Sequence, residues 1–381
     1  MQDIKRHNAV FFLAVRLEHG GGAEKFMIDT CLLLSRQVPF FKVTIVSPSV
    51  NWMRAIEHLS MMFHYGHPAI RKYPDRNPNV REFLRQANID YITFESLAQL
   101  SLIIKKADIV YTRNEITDLS FLHLSRSALT PHVIGVHTPL HYGKSSGTVG
   151  AMHNALYSSR MYQWLGSKAK KWHAANLESV SRIRKLHGTA DIALFGYPCN
   201  VDKLPVNASI GTRTKKFIDI LWVGRFEWQK GADLLARLVR TTCNRNVQVR
   251  WTLLGSGTMF EDVKSQLQSV DRCQLLGNVP ESLVWKYLCE SDIFVSTSRW
   301  ECWPNTVVSS LEAGLTIIAT RIAGHTDMLE NVDNAFLADT VDEIANLIIN
   351  ISYNIPIKTP RRYSSTYSNQ DFISHMVKLL V

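Results

Sequence analysis

One arrangement recurs along this chain and limits what it can fold into. A short apolar run of strand length stops at glycine or a polar residue, and a segment of helical periodicity follows. The run "AVFFLAV" (9–15) precedes "HGGGAE", behind which Ala23, Met27, Cys31 and Leu34 return at helical spacing. "KVTIVSP" (42–48), "ADIVYT" (107–112) and "HVIGVH" (132–137) continue the series. Runs that stay apolar without alternation suit strands covered on both faces, as in a parallel sheet flanked by helices. The series pauses at 200–216, "NVDKLPVNASIGTRTKK", which is polar, carries Pro205 and Gly211, and reads as a linker. It restarts with "FIDILWVG" (217–224), "VRWTLLG" (249–255), "CQLLG" (273–277), "DIFVST" (292–297) and "TIIAT" (316–320). The expectation is an α/β chain with two doubly wound parallel sheets. A length of 381 residues exceeds one ordinary core and agrees with two domains. The final stretch "NQDFISHMVKLL" is amphipathic and is expected to form a helix.

Composition removes several alternatives. At 46% hydrophobic and 20% charged residues, the chain is ordinary for a globular protein and gives no sign of disorder. The apolar run near the start is far shorter than the roughly 20 residues a bilayer span needs. Arg16, Glu18 and His19 follow it at once, unlike the tail of a signal peptide. Six cysteines (Cys31, Cys199, Cys243, Cys273, Cys289, Cys302) are scattered without a CxxC pair, which speaks against zinc and against a disulfide framework. A cytoplasmic protein is expected. The net charge of +10 draws in part on "GSKAKKWH" (166–173) and "SRIRKLHG" (181–188). Such segments serve nucleic acid, anionic lipid or a phosphate-bearing substrate, or are solvated helix faces. No interleaving of aromatic and basic residues favours nucleic acid.

The turns that close the apolar runs carry the chemistry. Gly20, Gly21 and Gly22 lie between a strand and a helix start, where backbone N–H groups face an anion; a plain tight turn is the other reading. No GK[ST] follows, so this is not a Walker A loop. In "VGRFEWQKGADLL" (223–235), Gly224 ends a strand, and Arg225 and Lys230 follow. Two cations there suit a diphosphate whose negative charge grows as it departs, or are plain surface charges. Gly255 and Gly257 in "LLGSGTMF" resemble the start of a dinucleotide fingerprint, but Phe260 stands at the third glycine. Backbone groups beyond Gly277, at Val279, offer an edge to a nucleobase. In "STSRWECWPNTVVSSLEAG", Glu301 follows a strand and precedes a helix beginning near Pro304 or Asn305. Its carboxylate either accepts bonds from sugar hydroxyls or caps the helix. Trp300, Cys302 and Trp303 surround it with apolar atoms.

These segments in this order resemble the family 4 retaining glycosyltransferases, the glycosyl transferases group 1 with the GT-B fold. The resemblance covers most of the chain, is weakest between residues 51 and 100, and rests on "GGGAEKF", "ILWVGRFEWQKGADLL", "LLGSG" and "STSRWECWPNTVVSSLEAGLTIIATRIAGH". It implies two Rossmann-like domains facing across a cleft. They are an acceptor-binding domain at 1–205 and a nucleotide-sugar-binding domain at 206–365, with the 366–381 helix packing back on the first. It implies that Arg225 and Lys230 bind the diphosphate and that Gly21 and Gly22 lie near the donor phosphates. His137, in "GVHTPL", would lie by the transferred sugar and the acceptor, and Glu301 would hold the sugar. Gly224, Gly255, Gly257, Val279, Trp303, Pro304, Asn305, Ser309 and Glu312 would complete the donor site.

The sequence departs from the family at one point. The second glutamate of the family signature, which holds the ribose, falls on Ser309. Glu312 is one helical step further, about 4.5 Å along the axis, and helical side chains lean back toward the N-terminus. Either Glu312 reaches back to the ribose or Ser309 makes a weaker bond. The implied activity is transfer of a hexose from a UDP- or GDP-sugar to a hydroxyl of a glycan or lipid-linked acceptor, with retention. It needs no cofactor and no essential metal, in keeping with the lack of a DxD sequence. A peripheral contact with the inner, anionic face of a membrane is a further expectation. A non-catalytic nucleotide-sugar binding protein and a GT-B sugar-nucleotide epimerase are the alternatives.

Overall fold

The apolar runs form strands whose burial follows their place in the sheets. In the computed structural model, residues 7–19, 22–49, 79–125, 130–143, 147–198, 217–245, 247–354 and 368–381 are described. The linker candidate 200–216, Gly20 and Gly21 lie outside them. The chain divides into two units, Met1–Pro198 with Tyr367–Val381, and Cys199–Thr366.

The first unit runs β1 (His7–Phe12), α1 (Gly22–Gln37), β2 (Phe41–Pro48), α2 (Val80–Gln86), β3 (Asp90–Phe94), α3 (Leu97–Ile104), β4 (Ile109–Arg113) and α4 (Ile116–Leu124). It continues with β5 (His132–Val136), α5 (Gly147–Tyr157), α6 (Arg160–Gly166), β6 (Lys171–Ala174), α7 (Leu177–Leu186) and β7 (Ile192–Leu194). Its seven parallel strands stand in the order β3-β2-β1-β4-β5-β6-β7. Every residue of β4 and β5 is buried, whereas the edge strands β3 and β7 are mostly not. That gradient explains why the central strands were legible as apolar runs and why β3 and β7 were not.

The second unit runs β8 (Ile218–Val223), α8 (Ala232–Asn244), β9 (Val249–Leu254), α9 (Phe260–Leu267), β10 (Cys273–Gly277), α10 (Glu281–Glu290), β11 (Ile293–Ser296), α11 (Asn305–Glu312), β12 (Thr316–Thr320), α12 (Ala323–Leu329), β13 (Ala335–Ala338) and α13 (Val341–Asn354). Its six strands, all parallel, stand in the order β10-β9-β8-β11-β12-β13. Trp222 and Trp251 are fully enclosed in its core. In both sheets the strand order reverses once, between β1 and β4 and between β8 and β11. Loops leaving the carboxyl ends of strands at such a reversal diverge, and open α/β folds bind ligands there.

The final helix, α14 (Asn369–Leu380), belongs to the first unit. Ser368 and Asp371 form a reciprocal capping box at its start. Phe372 packs edge-on against Phe26 of α1 and Phe195. At its far end the Lys170 and Lys171 ammonium groups donate to the carbonyls of Val381 (3.2 Å) and Lys378 (2.8 Å), where positive charge complements the helix dipole. Two lysines of the basic segment 166–173, which the sequence left open between an anionic partner and a solvated helix face, therefore have a structural task.

Glycine is required where loops at the strand ends press together. Gly255 has φ +128°, and a Cβ on it would lie 1.8 Å from the Gly224 carbonyl oxygen. Gly147 also has positive φ (+60°) but faces open space. Gly255→Ala is expected to destabilise the second unit by about 3 kcal/mol or more. Gly147→Ala carries only the left-handed backbone cost, about 1–2 kcal/mol. Urea unfolding of the two variants checks the difference, and equal costs would refute it.

Candidate functional site

In the second unit Arg225 and Glu301 lie on loops that leave neighbouring strands, because Arg225 follows β8, Glu301 follows β11, and β8 pairs with β11. The loops are tied together at several points. Phe226 N–H donates to the Ser256 carbonyl (2.9 Å), and Glu227 accepts from Thr258 N–H (3.1 Å) and Thr258 Oγ (2.8 Å). Arg299 forms a two-pronged pair with Asp233, both contacts 2.7 Å, and lies 4.3 Å above the Trp228 ring. Gly231 has φ +68°, and a Cβ there would lie 2.1 Å from the Thr297 carbonyl oxygen. Thr297 Oγ in turn donates to the Lys230 carbonyl (2.7 Å). Lys230 is thus fixed against the loop that carries Glu301.

The Lys230 ammonium is ion-paired with Glu301 Oε1, which also accepts from Ser298 Oγ (2.7 Å). The side chains are 22% and 11% exposed, so the pair is largely withdrawn from water yet open on one side. Burial pushes the Glu301 carboxyl up, but the Lys230 ammonium, with the hydrogen bond from Ser298, outweighs it and holds the group below the usual carboxylate range. His325 is fully buried. Its Nδ1–H donates to the Thr320 carbonyl (2.7 Å), and its Nε2 accepts from Ser296 Oγ (3.2 Å). Burial keeps this ring neutral, against the opposing pull of Glu301.

An ammonium has three donors, and Glu301 takes one. The bonds from Lys230 and Ser298 both land on Glu301 Oε1, which leaves Oε2 as a further acceptor. The α11 N-cap position is Pro304, with no side-chain cap bond; the Glu301 carboxylate engages Lys230 and Ser298. Arg225 is exposed, and its guanidinium donates to Gln229 Oε1 (2.6 Å).

On α11, Val307, Val308, Ser310 and Leu311 are buried, whereas Asn305, Ser309 and Glu312 stay partly exposed. Those three positions form one stripe at helical spacing. Ser309 and Glu312 therefore share a face, as the sequence spacing required. Trp303 and Val279 pack against the cluster of Leu221, Leu254 and Phe294, and Pro304 is buried. Gly224, Gly255, Gly257 and Gly277 close the turns at the carboxyl ends of β8, β9 and β10. Sequence reasoning missed Ser298, Arg299, Asp233 and His325. Only His325 left a trace, as a histidine behind a strand end next to Gly324, whose Cβ would lie 2.5 Å from the Glu301 carbonyl oxygen.

In the first unit, Gly22 is the exposed first residue of α1, and Glu24 is buried beside Arg113 at 3.7 Å. Arg113 is also paired with Asp118 at 2.9 Å. His137 follows β5 and is partly exposed, but both ring nitrogens are engaged internally: Nδ1 with the Tyr197 hydroxyl (2.6 Å) and Nε2 with the Tyr111 hydroxyl (2.9 Å). A sugar hydroxyl would have to displace one of these tyrosines. Nothing in the local sequence around His137 indicated that.

Residues 218–354 match the family model for glycosyl transferases group 1. This stretch is a glycosyl transferases group 1 domain. It contains Arg225, Lys230, Glu301, Ser309 and Glu312. The GPI3 subunit of phosphatidylinositol N-acetylglucosaminyltransferase from Saccharomyces cerevisiae is 28% identical over 182 residues, 45% of this chain and 40% of that protein. A phosphatidylinositol N-acetylglucosaminyltransferase protein from Arabidopsis thaliana is 27% identical over 192 residues, 48% of this chain and 43% of that protein. The chain thus matches less than half the length of these relatives. HepE from Anabaena, solved in complex with UDP and glucose, superposes with a TM-score of 0.71 at 15% identity, covering 98% of this chain and 100% of that one. At that identity the likeness concerns the fold, which is GT-B.

Proposed function

We propose that the protein is a retaining glycosyltransferase that moves a hexose from a UDP-sugar to a hydroxyl of a lipid-linked or glycan acceptor. The observation that carries this reading is the Lys230–Glu301 pair at the strand reversal, with Arg225 in the same loop as Lys230. Lys230 offers its remaining ammonium donors to the departing diphosphate, and Arg225 adds a second cation. These charges take the part that a metal ion plays in other transferases. Glu301, held ionised, orients the sugar hydroxyls through Oε2. The acceptor hydroxyl attacks the anomeric carbon on the face from which the diphosphate leaves. That phosphate takes the proton as the C–O bond to UDP breaks.

UDP is favoured over GDP by the UDP bound to HepE, and a hexosamine sugar and a lipid-linked acceptor by the names of the yeast and Arabidopsis relatives. Among the described residues no helix is long and apolar enough to cross a membrane.

Isothermal titration with UDP-glucose, UDP-N-acetylglucosamine, GDP-mannose, UDP and GDP tests the reading. One uridine donor is expected to bind. Glu312→Ala is expected to weaken UDP by about ten-fold if that carboxylate holds the ribose, as loss of a charged hydrogen bond does. Binding unchanged in Glu312→Ala but weakened in Ser309→Ala assigns the ribose to the serine. No binding by any nucleotide defeats the proposal. Binding without UDP release in the presence of lipid and glycan acceptors converts it to a non-catalytic binding protein.

A further inference from the structure

The hydrogen bonds around His137 form a chain whose proton order can be read from one end. His173, on β6 and fully buried, places Nε2 at 2.9 Å from the Phe195 carbonyl. A carbonyl only accepts, so His173 Nε2 carries a proton. Burial holds His173 down at about 4, so the ring is neutral near pH 7 and its Nδ1 is bare. The Tyr111 hydroxyl lies 2.7 Å from that Nδ1 and must donate to it. A hydroxyl has one proton, so Tyr111 can only accept at its second contact, from His137 Nε2 at 2.9 Å. His137 Nε2 is therefore the protonated nitrogen. In the neutral ring Nδ1 is then an acceptor, and the Tyr197 hydroxyl at 2.6 Å donates to it. In the opposite tautomer two lone pairs would face each other between His137 Nε2 and Tyr111.

The packing is built around this chain. Gly135 sits in the middle of β5, where a residue with a side chain would be expected. A Cβ there would lie 1.9 Å from the Tyr111 hydroxyl and 2.6 Å from His137 Nε2. Glycine leaves the space in which the two groups meet. The Phe26 ring packs, tilted, at 4.4 Å from the His137 ring and 4.6 Å from Tyr197, and Phe195 stacks 3.9 Å from the His173 ring. Phe372 of α14 closes over Phe26 and Phe195. Among the described residues, no polar group outside the chain is hydrogen-bonded to either histidine ring. The His137 backbone is fixed separately, its N–H donating to Asn114 Oδ1 (3.0 Å).

We propose that Tyr111 and His173 are positioning residues that lock His137 in its Nε2–H tautomer, so that Nδ1 can only accept, from Tyr197 in the free protein and from a substrate hydroxyl in its place. The second half of this statement rests on the transferase reading; the tautomer lock does not. His137 then selects a ligand group that brings its own proton. A hydroxyl of the bound sugar, which keeps its proton through the transfer, fits that rule.

The test is ring 15N spectroscopy of the full-length protein at pH 7, with His137 assigned by its loss in His137→Gln. The expected spectrum shows His137 protonated at Nε2 and bare at Nδ1. Tyr111→Phe keeps the ring shape and removes only the oxygen; it is expected to release His137 to the other tautomer or a mixture. His173→Gln retains one acceptor and one donor and is expected to preserve the tautomer, whereas His173→Leu is not. In the transfer assay, Tyr111→Phe is expected to lower kcat by about ten-fold or more with the donor KM within about two-fold. A wild-type His137 protonated at Nδ1, or a tautomer unmoved by Tyr111→Phe, overturns the lock. A switched tautomer with unchanged kcat overturns the positioning role. Failure of all donors to bind defeats the transferase reading, while the spectra still decide the lock.

Discussion

Replacing Lys230 with methionine is expected to destabilise the second unit by about 3–5 kcal/mol, because it leaves Glu301 as a buried carboxylate without its cation. Methionine keeps the length of the stem, so packing contributes little to the loss. The Glu301 carboxyl, now held below the usual range by Lys230, is expected to move above it, since burial is the largest influence and pushes upward. Protonation of Glu301 would then recover part of the stability, and the variant would be relatively more stable at mild acid pH. Lys230→Met combined with Glu301→Gln removes both charges and should regain most of the loss. Urea unfolding of the four proteins in the cycle measures the coupling. A cost under about 1 kcal/mol for Lys230→Met would place the pair with ordinary surface ion pairs and remove the premise that it is pre-organised. Under the proposed chemistry either single replacement also lowers turnover by about 100-fold or more, as loss of a charge-stabilising group does elsewhere.

Acidification from pH 7 toward pH 4 is expected to unfold the first unit before the second. Burial depresses His132 and His173 to about 4, and His137 well below its ordinary value of 6.5. The sign follows from linkage. Above about 6.5 these rings are neutral in both states and contribute no slope. Below that value the unfolded chain takes up protons that the folded unit refuses, and stability is lost as pH falls toward about 4. Each ring contributes about 1.4 kcal/mol per pH unit within the window, and three act together in one unit. In the second unit His325 is depressed in the same way. Glu301, also held low, contributes stability that is present above the ordinary carboxylate value and lost as pH falls below it. Hydrogen exchange followed by peptide at pH 7, 5.5 and 4.5 separates the units. Faster exchange is expected first in β4, β5 and β6. Loss of protection in β8 and β11 at a higher pH than in β5 would contradict the assignment of these burials.

How much of the site was legible depends on how local its cause is. Arg225, Lys230 and Glu301 stood out because strands must end, and a charged residue in the turn behind a buried strand is set by a few neighbours in sequence. Ser309 and Glu312 share a face because helical spacing alone puts them there. His137 was legible as a residue behind a strand, but its surroundings were not. Tyr111, His173 and Tyr197 reach it from β4, β6 and the segment after β7, and nothing in their spacing along the chain indicates that their polar atoms meet.

The basic segment 166–173 shows the same limit from the other side. Its charge was plain, but that Lys170 and Lys171 meet the end of α14 depends on a helix some two hundred residues later. Two doubly wound sheets, the turns that end their strands, and the charged residues those turns carry were all written in the linear chain. They follow from hydrophobic periodicity and backbone geometry, which act over a few residues. That Lys230 meets Glu301, that His325 stands behind them, and that His137 is bonded on both sides emerged only in three dimensions. Those outcomes depend on strand order and on close packing between distant segments, and short-range rules do not encode either.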